Sequence, residues 1–116
     1  MIFPAPDEAL WVGVLRLALR VPGSRSLKDR RRVVLSLRDR VQARHHASVA
    51  EVGHLDAIDR AVLAIGVVGH DSRSVQARLD TIFADIEATA DALVDDRSTE
   101  LMKMGEHFGE SPGRRS

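Results

Sequence analysis

Two groups of polar residues in this chain have types and spacings that suit chemistry. The first is a dense set of cations and hydroxyls where a helix is predicted to begin, and it consists of Ser24, Arg25, Ser26, Lys28, Arg30, Arg31 and Arg32. A helix start has unpaired backbone N–H groups and a partial positive charge, to which nearby cations add. This group therefore predicts a site for an anion, either a phosphate of RNA or a small phosphate-type ligand.

The second group lies in a predicted hairpin and consists of Glu51, His54, Asp56, Asp59 and Arg60. A histidine beside carboxylates can act as a general base or bind a metal ion. No second histidine follows at a zinc-ligand spacing, and His45-His46 lies at a predicted helix end, where histidines interact with the helix dipole. A salt bridge from Arg60 to Glu51 or Asp56 is the favoured interpretation. We therefore predict no catalytic residue, metal site or cofactor.

The charge pattern supports a second interpretation of the cations, as a solvated helix face that pairs with acidic neighbours. The net charge is zero, but residues 16–44 contain ten basic and two acidic side chains, and residues 51–100 contain eleven acidic and four basic ones. The two segments can lie side by side and neutralise each other. Exposed ion pairs contribute only about 0–1 kcal/mol each, which is a weak reason for so many arginines. Both interpretations stay open.

The first element that positions these groups is a predicted strand at residues 10–21. Its second half alternates, with Leu15, Leu17 and Leu19 on one face, and its first half is apolar on both faces, as in a central strand of a sheet. Pro22-Gly23 ends the strand.

A helix is then predicted from Ser26, a favourable N-cap, to about residue 44, with Asp29 as the acidic member of a capping box. The apolar arc of this helix includes Arg30 but not Lys28, Arg31 or Arg32. Arg30 therefore lies on the core side, where its guanidinium reaches the sheet edge or a pocket there.

The rest of the chain predicts two short strands, at residues 47–53 and 61–68, and a second helix capped by Asp71, Ser72 or Ser74. Helical periodicity continues to residue 94, so the pattern does not decide between a long helix and a fourth strand at residues 92–102. We predict one domain over residues 10–102, a flexible leader at residues 1–9 and a disordered tail at residues 103–116.

Composition excludes several classes of protein. The chain has no cysteine, which excludes disulfides, thiolate chemistry and cysteine-ligated metals. Its apolar runs are too short to span a bilayer, and its first residues do not have the pattern of a secretory signal. A cytoplasmic protein without a membrane partner is expected.

Several motifs resemble the YlxP-like family of small bacterial proteins, over roughly residues 11–101. They are VGVLRL followed by PGSRSLKDRRRVV, the strand SVAEV, and HLD with Arg60-Ala61-Val62 after it. The resemblance implies an α+β, ferredoxin-like βαββαβ fold, with a four-stranded antiparallel sheet, two helices on one face and a fourth strand at residues 92–102. In the hairpin, Ala57 and Ile58 replace the leucine and the aromatic residue that are usual in the family.

The resemblance also implies a gene beside translation-initiation and ribosome-maturation genes, and hence a ribosome-associated role with ribosomal RNA or a ribosomal protein as partner. Two known activities of ferredoxin-like proteins are disfavoured. The chain has no asparagine for an acylphosphatase site, and its third strand has no aromatic residue on which RNA bases would stack.

The uncovered face of such a sheet would have Val12, Val14 and Ala18 from the first strand and small or branched apolar residues from the third. An exposed apolar patch of this kind predicts self-association or a protein partner. The sequence as a whole predicts a non-enzymatic binding protein that uses its basic helix start. The alternatives are a small-anion domain or weak hydrolase that uses Arg30 and the hairpin carboxylates, and a purely structural protein–protein module.

Overall fold

A computed structural model describes residues 9–89 and 91–104. The elements are β1 (Leu10–Arg20), α1 (Leu27–His45), β2 (Ser48–Gly53), β3 (Arg60–Gly69), α2 (Ser72–Glu87) and β4 (Leu93–Met104). The strands form one antiparallel sheet in the order β2-β3-β1-β4, and both helices cover the same face. The predicted ferredoxin-like α+β fold is confirmed.

The fourth strand removes the ambiguity after α2. The helix ends at Glu87, and β4 pairs with β1 from Leu10↔Met104 to Arg20↔Leu93. Without β4, the backbone N–H and C=O groups along one edge of β1 would have no strand partner. The periodicity of the residues after α2 contains no information about this need for a partner strand. β4 extends to Met104, two residues past the predicted end of the domain. The predicted leader, apart from Ala9, and the predicted tail from residue 105 onward lie outside the described residues.

One core lies between the sheet and the two helices. From the sheet it receives alternate residues of β1 and β3; from the helices it receives Val34, Leu37 and Val41 of α1, and Val75, Leu79, Ile82 and Ile86 of α2. In β3 the core side is formed by Ala61, Leu63, Ile65 and Val67, which leaves Val62, Ala64, Gly66 and Val68 on the opposite face. No helix among the described residues is long and apolar enough to cross a membrane.

Candidate polyanion-binding surface at the start of helix α1

The chain enters α1 through a tight turn. The Ser24 N–H donates to the Val21 carbonyl at 3.3 Å, and Gly23 has a φ of 78°. Glycine adopts this positive φ without steric cost, and proline favours the position before it in such a turn. The Pro22-Gly23 pair therefore sets the direction from which α1 begins.

The polar groups of this loop bind mainly to one another. Ser26 is the N-cap, as predicted, and its Oγ accepts a hydrogen bond from the Asp29 N–H at 3.1 Å. The Asp29 carboxylate accepts one from the Arg25 N–H at 3.0 Å. The Ser24 hydroxyl donates to the carbonyl oxygen of Ile58, and the carbonyl oxygen of Ser26 lies 3.2 Å from the same hydroxyl. The two serines thus stabilise the helix start and the adjoining hairpin, which argues against a phosphate cradle in this loop.

Arg30 lies inside the protein. Its side chain is 2% exposed, its Nε donates to the Arg60 carbonyl at 2.7 Å, and Nη2 donates to the Glu51 carboxylate and to the His54 carbonyl. Protein acceptors already occupy these donors, so they do not support the binding of an external anion by Arg30, which stays a prediction. Arg30 connects α1 to the β2–β3 hairpin.

Electrostatics around Arg30 are consistent with a structural role. Burial is the main cause that lowers the pKa of the Arg30 guanidinium, and repulsion from Arg31 adds to it, while Asp56 acts in the opposite direction. Arginine nevertheless remains protonated in proteins. A buried charge of this kind has to be paired and hydrogen-bonded, as it is here.

The predicted hairpin cluster is organised around the same guanidinium. Glu51 contributes its carboxylate, whereas His54 and Arg60 contribute backbone carbonyls. The salt bridge expected between Arg60 and Glu51 or Asp56 does not form; among the described residues, the carboxylate that pairs with Arg60 is that of Asp59, at 4.0 Å. Arg30, which the sequence presents with the helix start, therefore forms one structural unit with the hairpin group.

The remaining cations of the helix start point outward. The side chains of Arg25, Lys28, Arg31 and Arg32 are exposed, and none has a hydrogen bond or ion pair with another described residue. Lys28, Arg31 and Arg32 are spaced i, i+3 and i+4 and so share one side of the helix. We call these four side chains the basic surface.

The other end of α1 differs. Arg40 donates to Asp85 of α2 through Nε and Nη2, at 3.1 and 2.8 Å, and His45 Nε2 lies 2.9 Å from the same carboxylate. Arg44 approaches it at 3.4 Å. Hydrogen bonds from Arg40 and His45 are the main causes that lower the pKa of Asp85 to about 2. The predicted neutralisation by the acidic second helix thus occurs at the end of α1.

The surroundings of the basic surface do not resemble a small-ligand site. A shallow depression of about 300 Å³ beside the turn is lined by Asp29 as well as by Ser24 and Arg32. The Asp29 carboxylate would repel a small anion there. Across residues 9–89 and 91–104, no three histidine or carboxylate side chains are arranged to hold a metal ion.

The comparisons with known proteins give a family and two distant structural matches. No curated protein matches the sequence significantly. Among solved structures, the chain is similar to the de novo designed protein Foldit4, with 10% identity, a TM-score of 0.45, and coverage of 83% of this chain and 97% of that one. It is also similar to the structural-genomics protein YJCS, with 9% identity, a TM-score of 0.41, and coverage of 81% and 97%.

The family match covers most of the fold. The profile described as "Protein of unknown function (DUF503)" matches residues 12–98, which include the basic surface, the Arg30 cluster and the first part of β4. The chain therefore belongs to the DUF503 family of proteins of unknown function.

Proposed function

We propose that this protein is a non-enzymatic binding protein whose basic surface contacts the phosphates of RNA. The resemblance of residues 22–34 to the YlxP-like family makes ribosomal RNA the favoured partner. Association with ribosomal particles, in the cytoplasm of a bacterium, is part of this proposal.

The observation that supports the proposal is the absence of intramolecular partners for the basic surface within the described part of the chain. Three of its cations, Lys28, Arg31 and Arg32, lie on one side of the helix, where they repel one another. An RNA backbone would relieve this repulsion, and binding would be favoured by release of the counterions that RNA condenses.

The chemistry favours phosphate contacts over base contacts. Among the described residues, Trp11 packs against the core and Phe83 lies under the Arg97 guanidinium, so neither is on the basic surface. Because the described part of the basic surface offers no aromatic side chain for stacking, we expect binding that depends on salt and depends little on RNA sequence.

The small-anion alternative has weaker support. It uses Arg30 and the hairpin carboxylates, and the Nε and Nη2 donors of Arg30 are engaged within the protein, one of them with the hairpin carboxylate of Glu51.

Co-sedimentation with purified ribosomal particles across a salt series tests the proposal. The variant Lys28→Ala/Arg31→Ala/Arg32→Ala should release the protein at lower salt than wild type. The matched control is Arg38→Ala/Arg40→Ala/Arg44→Ala, which removes three cations from the other half of the same helix, and it should co-sediment like wild type. Wild-type protein that stays in the supernatant at low salt, or equal loss in both variants, would contradict the proposal.

A further inference from the structure

The sheet face opposite the helices is not covered by any described residue. Strand register places on it Val12, Val14, Arg16, Ala18, Ser48, Ala50, Val62, Ala64, Gly66, Val68, Asp96, Ser98, Glu100 and Met102. We call this set the open face. One end of it is apolar and exposed, with Val68 59% exposed and Met102 57% exposed.

The other end of the open face is concave. An open depression of about 410 Å³ is lined by small and apolar residues, among them Ala18, Gly53 and Val62, together with Arg16, Asp96 and Ser98. Exposed apolar side chains and small residues therefore lie on the same face, and a second copy of that face can cover them.

The open face also carries one positive and one negative side chain that can form ion pairs between two copies. Arg16 lies on β1 and Glu100 on the adjacent strand β4, where Glu100 is two residues away from the position directly opposite Arg16. Both side chains are exposed. Neither forms an ion pair or hydrogen bond with a described residue. In a dimer with two-fold symmetry, a contact between one residue of the first copy and another residue of the second copy occurs twice. Arg16 of each copy would therefore pair with Glu100 of the other, and the dimer would contain two such ion pairs.

We propose that a second copy of this chain covers the open face, with Arg16 of each copy paired to Glu100 of the other. The crossing angle follows from an idealised flat sheet with about 4.8 Å between strands and about 3.4 Å per residue. A two-fold axis that lies between the two faces and exchanges Arg16 with Glu100 makes the strands of the two copies cross at about 70°. This angle is close to the orthogonal class of sheet packing.

The same arrangement places two exposed apolar side chains of one copy, Met102 and Val12, over the small residues Ala50 and Ala64 of the other. Packed sheets lie about 10 Å apart, a distance that an arginine and a glutamate together can bridge.

The overlap is small, so the dimer is a weak one. β1 has 11 residues and β4 has 12, so the open face measures roughly 36 Å by 17 Å. Two such faces that cross at about 70° overlap over roughly 300 Å² per copy, or roughly 600 Å² in total. This total is below the range of standard protein interfaces, so we expect a dimer that forms reversibly and only at high protein concentration. The basic surfaces are on the helix layer and stay exposed in this dimer, so the dimer does not depend on RNA binding.

Sedimentation equilibrium of the full chain over a wide concentration range tests the dimer. Wild type should show a reversible monomer–dimer equilibrium, and Arg16→Glu and Glu100→Arg should each raise the dissociation constant by about tenfold or more, because like charges would then face each other. The double variant Arg16→Glu/Glu100→Arg should recover most of the wild-type affinity. Arg73→Glu, on the exposed side of α2, is the control for a change of net charge and should have little effect.

Two results would overturn the dimer. A wild-type chain that is monomeric at every concentration would leave the open face to a different partner. A double variant that dimerises no better than either single variant would exclude the Arg16–Glu100 pairing. Circular dichroism of each variant checks that the exposed substitutions leave the fold intact.

Discussion

The two ends of helix α1 have similar cations in different surroundings. Near its end, Arg40 and His45 converge on the carboxylate of Asp85, whereas near its start Lys28 and Arg32 have no acidic partner among the described residues. The helix's own sequence does not create this difference. It arises because α2 brings its carboxylate to one end only, which leaves the other end available to an external anion.

Arg30 makes the comparison sharper because it belongs to the start of the helix and still has a structural role. Its position in the core-facing arc directs its side chain to Glu51 and to two hairpin carbonyls. The next residue, Arg31, points outward. One step along the helix therefore separates a structural arginine from an available one.

The largest expected effect on stability comes from Arg30. Arg30→Ala leaves Glu51 and two backbone carbonyls without their hydrogen-bond donor. We expect the free energy of unfolding to fall by about 3 kcal/mol. This value is at the low end of the range for a broken buried ion pair, because Glu51 is 25% exposed. Urea denaturation measures it. Arg31→Ala is the matched control and should change stability by less than about 0.5 kcal/mol. Equal effects of the two substitutions would contradict the structural role of Arg30.

The next effect concerns Asp85. Its pKa is lowered to about 2 in the folded protein, so its contribution is present above the unfolded value near 4 and is lost as the pH falls through about 2. Asp85→Asn should therefore cost up to about 2 kcal/mol near neutral pH, and the difference from wild type should vanish towards pH 2. Denaturation at several pH values measures this, and a difference that does not depend on pH would contradict it.

Asp85→Asn should also alter binding. It frees Arg40 and Arg44 and so makes the end of α1 resemble its start. We expect tighter RNA binding and a steeper salt dependence than in wild type. Unchanged binding would mean that cations at this end cannot reach the RNA even when they are unpaired.

A smaller effect is expected from the helix cap. Ser26→Ala removes the acceptor for the Asp29 N–H and should cost about 1 kcal/mol. Ser36→Ala, at an exposed position within α1, is the control and should be neutral or slightly stabilising, because alanine favours helices. Because Ser26 stabilises the helix, its loss should leave RNA affinity unchanged once the protein is folded. A loss of affinity without a loss of stability would return Ser26 to the binding site.

The sequence was most informative where the interactions are local. The Pro22-Gly23 turn, the Ser26 cap and the inward direction of Arg30 all follow from spacing within a few residues. The end of α2 cannot be found in this way, because the helical periodicity continues into the residues of β4. Those residues form a strand because they pair with the free edge of β1. The resemblance to a family supplied what periodicity could not.

The site was less predictable because its pairs join distant parts of the chain. Glu51 lies 21 residues from Arg30, and Asp85 lies 45 residues from Arg40. The segment charges correctly indicated that α1 has acidic neighbours, but they did not indicate which arginines those neighbours reach. The position of Arg30 on the core arc was the one signal that could have linked the helix start to the hairpin.

The central claim is that the start of α1, and not its end, supplies the contacts to RNA. Fluorescence anisotropy with a single-stranded RNA across a salt series tests it most directly, since each phosphate contact contributes about 0.7 to the slope of log K against log salt. Lys28→Ala/Arg31→Ala/Arg32→Ala should reduce this slope by about 2, and Arg38→Ala/Arg40→Ala/Arg44→Ala should leave it nearly unchanged. Equal slopes in the two variants would contradict the account.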